Sequence, residues 1–374
     1  MPYYDVAVIG LGIMGSSALY AAAHMGLTAI GFDQSPTLPH TQGSSHGQTR
    51  IIRQAYFEHP DYVPLVHRAY DAWHQLEQKA QSPIFIKTGG LMMGLPQSSV
   101  VSGSIAAAQK HHLPYEVWTA KALRARYPAF TLGADEVAVY EEAAGYLLAE
   151  RAWTLFFSLA KKYGACIRHG VKVRGWHLAP NRIQLAVDDE IVEVNRLIVT
   201  VGPWIQQIWP KVPVRVERQV PFWLDSPELA RLANHPIFIR ETPHSAAQIY
   251  GFPYLPGEGF KIARHHGGVE GSIDTLSRTV TDADEQSLRH HLHFLPAALR
   301  APVKSCTVCV YTNTADMHFI VGRLPQSNGR IVVGAGFSGH GFKFASVLGP
   351  LLVEQAYHSQ LLPELQLFAP QRFA

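Results

Sequence analysis

Cysteine is nearly absent from this chain: Cys166, Cys306 and Cys309 are the three among 374 residues. A disulfide framework is therefore excluded, and the cytoplasm is the expected compartment. Charge is sparse as well. Asp, Glu, Lys and Arg make up 16% of the residues, the formal net charge is +3, and the basic residues are scattered, so no nucleic-acid partner is expected. No apolar run reaches the length of a membrane span, and the chain opens without the basic and apolar segments of a signal peptide, so no membrane association is expected either. Histidine is abundant at 20 residues. The spacings that hold zinc, such as His-Glu-x-x-His, are missing, and no metal is expected.

What the chain does have is an apolar content of 47%, a folded composition long enough for two domains. Its clearest motif lies at residues 5–33. The apolar run Asp5-Val6-Ala7-Val8-Ile9 ends in Gly10-Leu11-Gly12-Ile13-Met14-Gly15, small helix formers follow, and a second apolar run ends in Asp33. In a dinucleotide-binding unit Gly10 permits the tight turn, Gly12 admits the pyrophosphate and Gly15 brings helix and sheet together. The N–H groups around Ile13 and Met14 would face the phosphates, and Asp33 would accept hydrogen bonds from the ribose. The motif leaves open whether the ligand is FAD or a nicotinamide cofactor.

A turn-rich loop follows at 34–48, too long for a simple connection and so suggestive of cofactor contact. Arg50 and Arg53 beyond it would point the same way if that piece were helical, as a solvated face or as an anion-binding pair. Helical periodicity at 62–78 gives way to short strands from 84, and a long helix is expected over 149–163. Alternation over 169–194 predicts antiparallel strands, leading to a buried strand that ends at the turn of Gly202. Strand-like segments dominate 214–312, and a last strand, turn and helix occupy 330–358. The expected fold is α/β: a Rossmann-like domain built from separated segments, 1–86, 141–209 and 316–374. A second, α+β domain with a mainly antiparallel sheet is inserted as 87–140 and 210–315.

Four further stretches are specific: Gly43-Ser44-Ser45-His46-Gly47-Gln48-Thr49-Arg50-Ile51-Ile52-Arg53; Tyr250-Gly251-Phe252-Pro253 with Lys261-Ile262-Ala263-Arg264-His265; Cys309-Val310-Tyr311-Thr312-Asn313 with His318-Phe319-Ile320; and Gly336-Phe337-Ser338-Gly339-His340-Gly341-Phe342-Lys343-Phe344. Together with the N-terminal motif they resemble the monomeric sarcosine oxidase and N-methyl-L-tryptophan oxidase family. These enzymes oxidise secondary amines such as N-methyl amino acids, carry FAD on a cysteine and pass electrons to oxygen. The resemblance implies that Cys309 bears the flavin, with no role for Cys306. It implies that Lys261 sits near flavin N5 and stabilises charge developing on oxygen, and that His265, Tyr250 and Tyr311 line the substrate side.

Arg53 and Lys343 are the implied carboxylate clamp, a planar fork beside a compact charge. Ser44, His46, Thr49 and Arg50 fall in the implied cofactor-attachment stretch. Gly339, His340 and Gly341 fall in the turn at the reduced ring. The partners would be a small N-methyl amino acid or another secondary amine, and molecular oxygen; a monomer is expected. Gln48 stands where these oxidases commonly have Asp, Gln54 where they have His, and Phe57 where glycine is usual, which leaves the substrate open. Arg240 reads as an exposed strand charge or as a contact for a second carboxylate. The alternatives are a flavin-dependent oxidase or dehydrogenase of another secondary or cyclic amino acid, a non-catalytic flavin-binding protein and, more remotely, an NAD-dependent dehydrogenase.

Overall fold

Val6 to Ile9 are buried without alternation, the pattern of a parallel strand covered on both faces. The computed structural model, which describes residues 3–325 and 327–373, sets that strand (Tyr3–Ile9) inside an eight-stranded sheet. Ala29–Asp33 and Glu190–Val199 flank it in parallel, and Cys166–His169 and Ile331–Ala335 extend the parallel set. The predicted antiparallel meander, Val173–Leu178 with Ile183–Val187, is attached to Glu190–Val199. Helix Ile13–His24 is buried on every side from Ile13 to Ala23, because it lies between this sheet and the helices Ala149–Lys162 and Ala345–Tyr357.

A second eight-stranded sheet is mainly antiparallel and draws on both inserted stretches. Gly90–Gly94, Val137–Glu141 and Glu116–Thr119 come from the first; Ile237–Glu241, Gln248–Gly251, Phe260–His265, Phe222–Leu224 and Val303–Cys306 come from the second. The two groups meet where Ile237–Glu241 pairs in parallel with Gly90–Gly94. A separate antiparallel pair, Val214–Gln219 with Cys309–Thr314, lies beside it. Among the described residues, no helix is long and apolar enough to cross a membrane.

Two expectations fail here. Residues Thr49–Ile52 form a strand paired with Gly145–Leu148, so Arg50 and Arg53 do not share a helical face. The β-branched pair Ile51-Ile52 suits the strand, whose neighbours supply the burial that an isolated arginine-rich helix would lack. Arg240 is not exposed. It is buried against Glu136, with Nη2 2.8 Å from Oε1, and its guanidinium lies 4.7 Å from the centre of the Phe294 ring. Its neighbour Ile239, on the opposite face of the strand, is the residue that reaches the cavity described next.

Candidate active site

A cavity of about 410 Å³ runs from the N-terminal motif to the second sheet, within the range of small-ligand sites. At its first end Gly10 takes φ +85, a left-handed conformation that favours glycine. Gly15 does not line the cavity; a Cβ there would lie 1.9 Å from the Gly10 carbonyl oxygen, so its role is the close approach of helix to turn. Gly12, Ile13, Met14 and Gly202 do line it. Asp33, nearly buried at the end of its strand, accepts from the N–H of Leu11 (2.7 Å) and of Ser35 (2.8 Å). One expected donor is already used: Ile13 N–H donates to Ser45 Oγ at 3.0 Å. Sequence reasoning missed Ser45, although it stands inside the motif that was singled out.

The stretch 43–53 wraps the middle of the cavity. Arg50 is not a free anion grip; its guanidinium donates to the carbonyls of Thr49 and Ser44, both at 2.9 Å, and of His46, and so ties the loop together. Thr49 does not line the cavity, and its contribution is a carbonyl that accepts from Lys261 Nζ at 2.9 Å. Lys261 donates also to the Gly47 carbonyl and lies 5.2 Å and 5.0 Å from the Trp223 and Phe252 ring centres. Burial, with Arg50 nearby, holds its pKa well below the ordinary lysine value. His46 is buried with neither ring nitrogen hydrogen-bonded among the described residues; burial, then Arg50 and Lys261, bring its pKa down to about 3.

The far end is built by strand alternation. Lys261 and His265 share a face of Phe260–His265, and Tyr250 pairs across from the intervening Ala263. Cys309 and Tyr311 share a face of Cys309–Thr314 in the smaller sheet, with Tyr311 Oη 3.2 Å from His265 Nδ1. Ser44, Gly339, His340, Gly341 and Lys343 complete the wall, and Ser44 Oγ donates to the Val310 carbonyl at 2.5 Å. The turn 339–341 continues through Phe342–Phe344 into the last helix, Ala345–Tyr357.

Arg53 and Lys343, the expected clamp, are both buried, and here sequence reasoning missed their partners. Arg53 Nη2 meets Glu58 at 2.5 Å, Nη1 donates to the Ala55 carbonyl at 2.8 Å, and the guanidinium lies 4.1 Å from the Phe57 ring centre. Its Nε is buried without a partner among the described residues. Burial pushes the Glu58 carboxyl up, but Arg53, with His340 and Lys343, carries it below its ordinary value. Lys343 Nζ donates to the His340 carbonyl at 2.8 Å and to Tyr56 Oη at 3.3 Å, and Tyr56 Oη lies 2.7 Å from His340 Nδ1. Burial and Arg53 bring Lys343 down to about 7, and burial, opposed by Glu58, brings His340 down to about 3. The available signal was a Tyr and a Glu within five residues of an arginine.

A glycine turn into a helix, an acidic residue on the second strand and a cavity running on to buried cations make a dinucleotide-dependent oxidoreductase. The residues present also fit a flavin: the cavity, which runs on from the glycine turn, holds buried polar atoms without partners among the described residues on His46 and Arg53. Residues 5–355 match the FAD dependent oxidoreductase family. The monomeric sarcosine oxidase of Streptomyces avermitilis is 35% identical over 380 residues, covering 100% of this chain and 98% of that one. The N-methyl-L-tryptophan oxidase of Yersinia pestis is 33% identical over 377 residues, covering 99% of each. Among solved structures, NikD, described as an unusual amino acid oxidase essential for nikkomycin biosynthesis, superposes with a TM-score of 0.85 at 20% identity, covering 99% of this chain and 98% of that one. The chain belongs to the FAD-dependent oxidoreductases and, within them, to the family of monomeric sarcosine oxidases and N-methyl-L-tryptophan oxidases. The nicotinamide alternative is thereby set aside.

Proposed function

We propose that this enzyme oxidatively demethylates an N-methyl amino acid of the sarcosine or N-methyl-L-tryptophan type, using molecular oxygen and giving an aldehyde, the amino acid and hydrogen peroxide. The observation that carries this reading is the pair of buried cations, Arg53 and Lys343, on the aromatic-walled end of the cavity that also holds Lys261. Of the described residues that line this end, three are buried basic side chains, Arg53, Lys261 and Lys343, and one is a carboxylate, Glu58, so the site favours an anion. Lys343 keeps a third N–H direction beyond the two it uses, and Arg53 keeps Nε. A carboxylate held there would orient the amine and its methyl group, converting an encounter into an aligned approach.

FAD when bound would supply the two-electron acceptor and the reaction with oxygen. Cys309 would carry it covalently, with residues 1–86, 141–209 and 316–374 holding the cofactor and 87–140 and 210–315 the catalytic side. His265, Tyr250 and Tyr311 wall the amine off from water. Burial raises the pKa of both tyrosines, so their hydroxyls remain proton donors across the working range. Lys261, whose ammonium form burial disfavours, would gain a partner for its charge where negative charge develops on oxygen. A cytoplasmic monomer accords with the few cysteines and with the name monomeric sarcosine oxidase borne by the Streptomyces avermitilis relative.

Peroxide formation against a panel of sarcosine, N-methyl-L-tryptophan and L-proline tests the reading. Turnover of an N-methyl member is expected; activity with none of them would overturn it. Acid-precipitated protein should keep its yellow colour and a Cys309→Ser protein should lose it. A coloured Cys309→Ser precipitate would remove the attachment from Cys309.

A further inference from the structure

We propose that Glu217 and His266 form a charge pair behind the cavity wall that decides where the site keeps its proton: on His266, leaving the substrate-facing His265 neutral. For its effect on turnover the proposal rests on the amine-oxidising reading above. Neither residue belongs to the wall itself, which His265, Tyr311 and Gln219 form at this point; both are positioning residues.

Glu217 is directly opposite Tyr311 in the antiparallel register and is 3% exposed. Its carboxylate is saturated. Oε1 accepts from Gly268 N–H at 2.6 Å and Gln219 Nε2 at 2.8 Å; Oε2 accepts from Asn313 Nδ2 at 2.5 Å and stands 3.2 Å from His266 Nδ1. Burial pushes the Glu217 carboxyl up, yet His266 and Gly268 bring it below its ordinary value, so it is an anion. His266 takes φ 64 and Gly267 φ 76. A left-handed non-glycine residue persists where its surroundings over-determine it, and Glu217 holds the turn on both sides, at His266 and at Gly268.

The turn sets the His266 ring 4.0 Å from that of His265, tilted by 54°, and 5.3 Å from that of Tyr311, centre to centre. Two imidazoles at that distance resist carrying charge together. His266 alone has a carboxylate. The charged and titratable groups facing His265 are His266, His340, Lys343 and Arg53, with Tyr250 and Tyr311 beside it. Across the ladder from Glu217 stands the exposed Glu270, and the Arg264 guanidinium lies against the turn at Gly267. Burial and then His266 hold His265 well below the ordinary histidine range.

The sign of the functional effect follows. A cation at His266 disfavours any second proton in the site, whether on His265 or on the bound amine. Removing it makes that proton easier to bind, so the acid limb of the limiting rate of flavin reduction should move to higher pH, by about one unit.

The experiment uses the holoenzyme with 13C,15N-labelled histidine and the variants Glu217→Gln and His266→Gln. NMR of the substrate-free protein should find the first proton of the pair on His266, and its uptake shifted to lower pH in Glu217→Gln. Stopped-flow reduction should give an acid limb raised by about one unit in both variants. A first proton on His265, or an acid limb unmoved in His266→Gln, would overturn the proposal. His266 is half-exposed, so that variant reports even where Glu217→Gln fails to fold. The NMR arm needs no substrate, so failure of the amine panel and failure of this proposal are read separately.

Discussion

The two ends of the cavity are built by opposite means. The first is one contiguous stretch, 5–33, that works through backbone: a left-handed Gly10, a helix packed against it at Gly15, and Asp33 folded back on the Leu11 N–H. The second is made of side chains, with Arg53, Lys261 and Lys343 buried on three separated strands and turns and one carboxylate, Glu58, among them. Neutral backbone donors can be buried at little electrostatic expense, whereas three cations are satisfied here mostly by carbonyls and aromatic faces. The first end is thus tuned by shape, the second by charge, and the second is the one poised to accept an anion.

That contrast can be broken most severely at the first end. Gly15→Val would force a side chain against the Gly10 carbonyl, which a Cβ alone would already approach to 1.9 Å. Overpacking of this kind costs about 3 kcal/mol or more, because both contacting groups are backbone-bound. The expected outcome is loss of soluble, flavin-containing protein, measured as bound flavin per polypeptide and by thermal unfolding. A yellow protein of parental stability would show that the helix and turn need not touch.

Next comes a comparison of two buried arginines. Arg53→Met and Arg240→Met each strand a buried carboxylate, Glu58 and Glu136, and each should destabilise by about 3–5 kcal/mol in thermal or denaturant unfolding. Only the first should affect the substrate, raising its KM about 100-fold in steady-state kinetics. Removing the stranded acid as well, in Arg53→Met/Glu58→Gln, should restore stability but not KM. If Arg240→Met raised KM equally, the two ends of the second sheet would be coupled in a way their geometry does not suggest.

What was legible in the sequence follows the same division. Residues 5–33 could be read outright, because period, glycine positions and the acidic residue lie within one local unit. Strands around Lys261, Tyr250 and Tyr311 were legible as strands, but not their mutual faces, since register is set between segments far apart in sequence. Arg50 and Arg53 would share a face only in a helix, and nothing local signals the partner strand Gly145–Leu148 that makes the segment extended. Arg240 was misread because exposure is the usual fate of a strand arginine, and Glu136 lies 104 positions away. Ser45, Tyr56 and Glu217 were missed because their work is done by hydrogen bonds to residues that the chain brings together only on folding, whereas Glu58, five residues from Arg53, was within local reach.

The mildest test concerns Lys343, which burial and Arg53 bring down to about 7. Carboxylate binding requires its ammonium form. Below pH 7 that form is already present, so binding takes up no proton and affinity should be flat. Above pH 7 binding must take up a proton, and affinity should fall by up to about tenfold per pH unit until the Arg53 contribution alone remains. Folding has the opposite sign: a lysine whose folded value is depressed disfavours the folded state below about 7, and that penalty is relieved as the pH rises from about 7 towards its ordinary value. Methylthioacetate, a carboxylate without a titrating amine, isolates the effect, with its dissociation constant read from the flavin spectrum between pH 6 and about 9. Lys343→Met should weaken binding below pH 7 by about tenfold and flatten the profile. A flat profile in the parent enzyme would mean that Lys343 stays charged throughout, and that the charge-tuned end is better neutralised than its single carboxylate implies.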